Sequence, residues 1–302
     1  MRELAGRTAF ITGGASGIGL GMARAFVEAG MKVAIADIRQ DALEAALASL
    51  GGQAAGVRGI RLDVTDRQAW VRAADDAEAA LGPVQLLCSN AGVNFMGAAQ
   101  DATYQDWDFC LGVNLGGAIN AVRTFVPRML AHGSGGHVVI TSSVAGLFTG
   151  RGQGVYATTK YALTGLAESL RADLTGQGIG VSVLCPGPVK SDLFESTMAV
   201  RPAALAESGS RPVVTSGQSR EETPIFATAM TGGEVGRRVV AGILRDDLYI
   251  MTHTEIGGIL DARAAALKAA LPDEPIDQAR VDATQGLLNP ALYEEQIAKP
   301  AP

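Results

Sequence analysis

Along the first two thirds of the chain, short apolar runs alternate with longer Ala- and Leu-rich stretches, and the repeat changes at each boundary. "TAFIT" (8–12), "KVAIAD" (32–37), "VRGIRLD" (57–63), "VQLLCSN" (84–90), "GHVVITSS" (136–143) and "GVSVLCP" (180–186) read as strands. Residues 17–30, 40–50, 66–81, 104–131 (one long helix or two) and 154–176 carry the helical repeat. Near-continuous apolar runs are the mark of strands buried on both faces, and a helix after each strand implies parallel pairing. A seventh strand is expected at "LYIMT" (248–252), after a helix at 233–247. The pattern predicts an α/β fold: a Rossmann-like, doubly wound, seven-stranded parallel sheet with helices on both faces.

The texture changes after residue 190. Residues 201–224 are rich in Ser, Gly, Pro and charge and read as an excursion of the lid or disordered kind. Residues 256–271 read as an amphipathic helix, and 272–302, with Pro272, Pro275, Pro290 and Pro300, as irregular or loosely helical. No repeat or linker divides residues 1–190. The expected organisation is one domain over 1–252, with a long loop at 191–230, and a C-terminal extension over 253–302.

Composition narrows the function classes. The 302 residues carry a net charge of −6, so no basic footprint suggests nucleic acid. Cys88, Cys110 and Cys185 are odd in number and lack metal-type spacing, which fits buried thiols in a reducing cytoplasm and no metal site. The N-terminus has no apolar core of a signal peptide, and no uncharged run suggests a membrane span.

Four glycines fall within "TGGASGIG" (12–19), between the first strand and the first helix. Glycine there costs backbone entropy, so a close approach to the backbone must require it. A helix N-terminus at the carboxyl end of a parallel strand suits a pyrophosphate. Gly13 permits the tight turn, and Gly17 and Gly19 allow close packing around phosphates. Asp37 ends the second strand, where a carboxylate can accept hydrogen bonds from the adenosine ribose and would repel a 2′-phosphate. Ile38 follows, and Arg39 comes one residue later; NAD is therefore expected over NADP. Asp37 as a cap of the helix near Asp41 is the competing reading.

Tyr156 and Lys160 lie four apart in a helical pattern and share a face. A lysine ammonium ~4 Å from a phenol at an effective dielectric of ~20 favours the phenolate by roughly 4 kcal/mol, about three pKa units. That would bring Tyr156 near neutrality as a general acid/base, with Ser143, at the end of the fifth strand, orienting the same substrate oxygen. Spacing alone also fits an ordinary helix surface.

The ordered set of TGxxxGxG (12–19), Asp63-Val64, "NAG" (90–92), Asn114 in "VNL", Ser143, YxxxK (156–160) and "PGPV" (186–189) resembles the short-chain dehydrogenase/reductase family over about residues 5–250. The resemblance implies a catalytic set of Asn114, Ser143, Tyr156 and Lys160. Tyr156 and Lys160 would also contact the cofactor, Lys160 by holding the nicotinamide ribose, and Asn114 would position a water in a proton relay. It implies a cofactor surface of Gly13, Ser16, Gly17, Ile18, Gly19, Asp37, Ile38, Asp63, Val64, Asn90, Ala91 and Gly92. Pro186, Gly187, Val189 and Ser191 would extend it at the nicotinamide end. Ser89 stands where the family often has Asn, and "KSD" where it often has Thr.

By the same resemblance, substrate selection falls to the 191–230 loop and to residues near Ser143. Val93, Asn94, Phe95, Val144, Phe148 and Phe194 are the substrate candidates, although Phe95, Phe148 and Phe194 equally suit a core. Their apolar character suggests a lipophilic secondary alcohol or ketone, and Lys190 or Arg201 is the nearest candidate for an anionic substituent. "GVNLGGAINAVRTFVPRML" (112–130) and "ILRDDLYIMTHTE" (243–255) resemble bacterial dehydrogenases of bulky aryl carbinols, such as the Cα position of lignin-derived ethers. An NADPH-dependent ketone reductase is the alternative. The family analogy also implies a homodimer or homotetramer through the helices at 104–131 and 154–176, and neither a membrane nor a nucleic-acid partner.

Overall fold

The computed structural model describes residues 1–191, 193–205, 224–284 and 291–300. Seven parallel strands form one sheet: β1 (Thr8–Thr12), β2 (Lys32–Asp37), β3 (Val57–Arg61), β4 (Val84–Ser89), β5 (Gly136–Thr141), β6 (Ile179–Cys185) and the last strand (Tyr249–Met251), in the order 3-2-1-4-5-6-last. Every residue of β1 is buried, because β1 is central and both faces are covered. Ile11 pairs with Ile35 on one side and Cys88 on the other. The order reverses between β1 and β4, which opens a crevice at the carboxyl ends of these strands.

Helices α1 (Gly17–Glu28) and α2 (Gln40–Leu50) cover one face; α3 (Arg67–Leu81), α4 (Tyr104–Cys110), α5 (Gly117–His132) and α6 (Gly154–Asp173) cover the other. On the α3–α5 side, Phe10 packs 4.6 Å from Phe125, and Trp70 meets Phe125 edge-on at 6.4 Å. The stretch 104–132 is long and apolar enough to pass for a membrane span, but Ala118, Ala121, Phe125, Val126 and Met129 are buried against the sheet, as in a core helix.

A two-stranded ladder, β7 (Val189–Lys190) with β8 (Met230–Thr231), closes the neck of the 191–229 loop. That loop begins with α7 (Leu193–Val200) and ends with the single turn α8 (Pro224–Ala227). Residues 206–223, most of the predicted excursion, lie outside the described residues. Next, α9 (Gly232–Arg245) starts with a capping box between Thr231 and Glu234 and packs directly on α1. A methyl at Gly21 would run into the Gly232 carbonyl, and one at Gly236 into the Gly21 carbonyl, so the two backbones touch. The closing strand becomes β9 in chain order.

The extension departs from its expected amphipathic character. Helix α10 (Gly257–Ala269) has no buried residue, and Ile259, Leu267 and Leu271 face solvent. Helices α11 (Gln278–Thr284) and α12 (Ala291–Ile297) follow. The latter returns to the body through the Gln296 side chain, which accepts from the Leu248 N–H at 2.7 Å, and through Tyr293, which donates to Glu168. All three cysteines are buried.

Candidate active site

The glycine turn has the conformations that its composition suggests. Gly13 and Gly17 sit at φ +62° and +51°, which L side chains rarely adopt. A Cβ on Gly13 would lie 2.9 Å from the Ala91 Cα, and one on Gly19 would strike the Gly13 carbonyl. Gly19 therefore packs the turn from behind and does not line the crevice, whereas Gly13, Ser16, Gly17 and Ile18 do.

The crevice is a cavity of about 950 Å³ running along the switch point. Its far end is lined by Asp37, Ile38, Arg39, Asp63 and Val64, its middle by Asn90, Ala91 and Gly92, and its near end by Ser143, Tyr156, Lys160, Pro186, Gly187 and Val189, while Ser191 sits against Gly17 of the glycine turn. Asp37 does not cap α2, whose N-cap is Arg39. Its carboxylate accepts the Ala15 and Arg39 backbone N–H groups at 3.4 and 3.1 Å. The Asp63 carboxylate is engaged by Thr65, at 2.9 Å to the N–H and 2.7 Å to the hydroxyl. Val64 is fixed through its carbonyl, which accepts from the Trp70 indole and the Asn120 amide, both at 2.9 Å.

Thr12 and Asn90 tie the strand ends together. The Thr12 hydroxyl accepts the Asn90 and Ala91 N–H groups at 2.9 and 3.0 Å, and the Asn90 amide donates to the Thr12 carbonyl at 3.0 Å. The Thr141 hydroxyl reaches Asn90 Oδ1 at 3.2 Å. At the other rim, the Gly187 N–H donates to the Thr252 hydroxyl at 3.0 Å, which fixes the "PGPV" loop against the end of β9. Sequence reading missed Thr12, Asn120 and Thr252, whose partners are remote in the chain, and Trp70, whose partner Val64 lies six residues before it.

Ser143 lies two residues past the end of β5, not within it, and caps a short turn by accepting the Ala145 N–H at 3.1 Å. Lys160 is buried at 4% exposure, donates to the Thr141 carbonyl at 3.0 Å and sits 5.4 Å from the centre of the Tyr156 ring. Burial pulls its pKa down to about 8. The expected near-neutral Tyr156 is not found. Burial pushes its phenol up to about 12, opposed by a hydrogen bond from Ser143. The reason is geometric: Lys160 lies over the ring and is bonded to a carbonyl, so its charge is not directed at the hydroxyl.

Asn114 occupies a π-helical turn, Leu111–Gly116, between α4 and α5. Its side chain is buried behind the cavity. It accepts the Val93 N–H at 2.7 Å and donates to the Val93 carbonyl at 3.0 Å and the Thr159 hydroxyl at 2.9 Å. Such turns inside helices recur at functional sites. Gly92 leaves room in front of this pair: a Cβ there would lie 3.2 Å from Asn114 Oδ1 and 3.7 Å from Lys160 Nζ.

Of the substrate candidates, Val93, Asn94, Val144, Phe148 and Phe194 line the cavity. Phe95 does not; it is 1% exposed, in a small core with Val93, Cys110 and Val155. Leu193, Ile225 and Phe226 of the 191–230 loop also line the cavity, as do Met96, Phe109 and Gln153, which were not anticipated. Arg201, a candidate for an anionic substituent, instead forms a buried pair with Asp106 at 2.8 Å.

A family model described as short chain dehydrogenase matches residues 7–201. The chain belongs to the short-chain dehydrogenase family. It is 46% identical over 210 residues to the C alpha-dehydrogenase of Sphingobium sp. strain SYK-6, covering 69% of this chain and 68% of that protein. A short-chain dehydrogenase structure from Novosphingobium aromaticivorans aligns over 98% of this chain and 100% of its own, at 36% identity and TM-score 0.81. A family structure from Burkholderia phymatum, in complex with NAD, aligns over 92% and 100% at 32% identity and TM-score 0.80. Short-chain dehydrogenases are oxidoreductases that include alcohol dehydrogenases and use NAD(P).

Proposed function

We propose that the chain is an NAD-linked dehydrogenase of lipophilic secondary alcohols, with aryl carbinols as its substrate class. The observation that carries the reading is one cavity with Ser143, Tyr156 and Lys160 at its apolar end and Asp37 at the other. The glycine cradle at Gly13 and Gly17 fits a pyrophosphate at the α1 N-terminus, where side chains would block the approach. Asp37 would take the adenosine ribose hydroxyls. Lys160 and the 186–191 loop would hold the nicotinamide end.

A bound nicotinamide would supply the acceptor for the hydride of the carbinol carbon. The chain's own residues handle the proton. As the phenolate, Tyr156 takes it from the alcohol oxygen during oxidation; as the phenol, it gives it to the carbonyl in the reverse direction. Ser143 hydrogen-bonds the same oxygen and orients it. The Ser143 hydrogen bond opposes the effect of burial on the Tyr156 phenol, Lys160 lies over the Tyr156 ring, and Asn114 holds the Val93 loop and the π turn behind them. The relative named for Cα oxidation and the apolar wall of Val93, Met96, Val144 and Phe148 support an aryl carbinol.

One observation favours a second reading, an NADPH-linked ketone reductase. Arg39 lines the far end of the cavity and donates to the Ser16 hydroxyl at 3.1 Å, where a cation could meet a 2′-phosphate. Absorbance at 340 nm with NAD and then NADP, across aryl, steroid, aliphatic and cyclic carbinols, tests both. NADH formation with aryl carbinols supports the first reading. A preference for NADP supports the second.

A further inference from the structure

Among the polar side chains on the cavity wall that have no role in the proton path, Asn94, Gln153 and Ser196 are neutral, and Glu195 beside Ser196 is acidic, which disfavours an anionic substituent. Asn94 Oδ1 and Ser196 Oγ are buried without a hydrogen-bond partner, and the Gln153 amide has none among the described residues. Buried polar atoms are nearly always paired, so two such atoms beside one cavity call for an explanation.

Their placement is informative. The Asn94 N–H donates to the Thr197 hydroxyl at 2.9 Å, so the loop after β4 is fastened to α7 next to Ser196. Val93, one residue before Asn94, is bonded to Asn114. Gln153 immediately precedes α6, three residues before Tyr156. The polar groups therefore border the reacting end of the cavity, amid Val93, Met96, Val144 and Phe148. Arg201 is held by Asp106. Neutral amides and a hydroxyl in an apolar wall select a neutral hydroxyl group rather than a carboxylate or phosphate.

We propose that Asn94 and Ser196, with Gln153, form a hydroxyl-recognition subsite, so that the preferred substrate is a secondary alcohol bearing a second, neutral hydroxyl. This rests on the proposed dehydrogenase function. Both unpaired atoms lie where the loop after β4 is fastened to α7, so the second hydroxyl is taken up at that junction. A site built around a substrate hydroxyl discriminates strongly against the analogue lacking it, because its own polar groups are then left unpaired.

The test compares 1-phenylpropan-1-ol with 1-phenylpropane-1,3-diol and 1-(4-hydroxyphenyl)propan-1-ol, in the unaltered enzyme and in Asn94→Leu and Ser196→Ala. The expected result is a kcat/KM at least about tenfold higher for one hydroxylated alcohol, mainly through KM, with that ratio falling severalfold or more in each variant. Equal kcat/KM values in the unaltered enzyme, or a ratio that both variants preserve, overturn the subsite. Binding of the matching ketones, followed by quenching of bound NADH fluorescence, separates the two levels. If no carbinol turns over but the hydroxylated ketone still binds more tightly, the proposed activity fails and the subsite stands. Equal ketone binding overturns the subsite whatever the turnover.

Discussion

Replacing Lys160 with Met should make the protein more stable and far less active. Lys160 is buried, and its pKa falls from the ordinary 10.5 to about 8. At about 1.4 kcal/mol per pKa unit, holding its charge at neutral pH costs about 3 kcal/mol relative to the unfolded chain. Its hydrogen bond to the Thr141 carbonyl returns about 1 kcal/mol, so Lys160→Met gains about 2 kcal/mol at pH 7. For a chain of this size that raises Tm by about 4 °C. The sign follows from linkage: between pH 8 and 10.5 the unfolded chain binds more protons at this position than the folded one, so this group's contribution to stability rises with pH there. The variant lacks that rise, and its advantage should vanish by about pH 10.5. Calorimetric or denaturant unfolding of both proteins at pH 7, 9 and 10.5, beside turnover, measures this. Turnover should fall about 10²–10³-fold. A variant less stable than its parent at pH 7, by an amount independent of pH, would refute the reasoning.

Other perturbations follow from the same geometry. Tyr156→Phe should lower turnover at least about 10³-fold while NAD affinity, measured by titration calorimetry, stays within about threefold. Asp37→Asn should narrow the NAD-over-NADP preference in kcat/KM by about tenfold or more, since it removes the charge that opposes a 2′-phosphate. Arg201→Ala breaks the buried 2.8 Å ion pair with Asp106, and denaturant unfolding should show a loss of about 3–5 kcal/mol. Gly236→Ala places a methyl against the Gly21 carbonyl and should cost about 1–3 kcal/mol by separating α9 from α1.

The sheet was legible because its strands are buried on both faces and so read as unbroken apolar runs. Their ends were less so: β5 stops at Thr141, and Ser143 belongs to the turn beyond it. The glycine turn was legible because the positive φ angles at Gly13 and Gly17 leave few other residues possible. The π turn at Asn114 was not, because the apolar repeat of 104–131 runs through it without a break. Nor was the position of Phe95: Val93 and Phe95 are both apolar, and only packing shows that Val93 borders the cavity while Phe95 does not. The Tyr156 phenol depends on burial and on the direction of the Lys160 amine, neither of which residue spacing contains. Arg201 was open to an anionic ligand in the sequence because its partner Asp106 lies 95 residues away.

The central claim is hydride transfer from a carbinol carbon to a nicotinamide. It is tested most directly with 1-phenylpropan-1-ol and its 3-hydroxy and 4-hydroxyphenyl derivatives, each deuterated at the carbinol carbon, in the presence of NAD, followed by mass spectrometry of the reduced cofactor. The account predicts NADH one mass unit heavier, formed together with the aryl ketone. Reduced cofactor without deuterium, or no reduced cofactor from any of these carbinols despite demonstrated NAD binding, would contradict it.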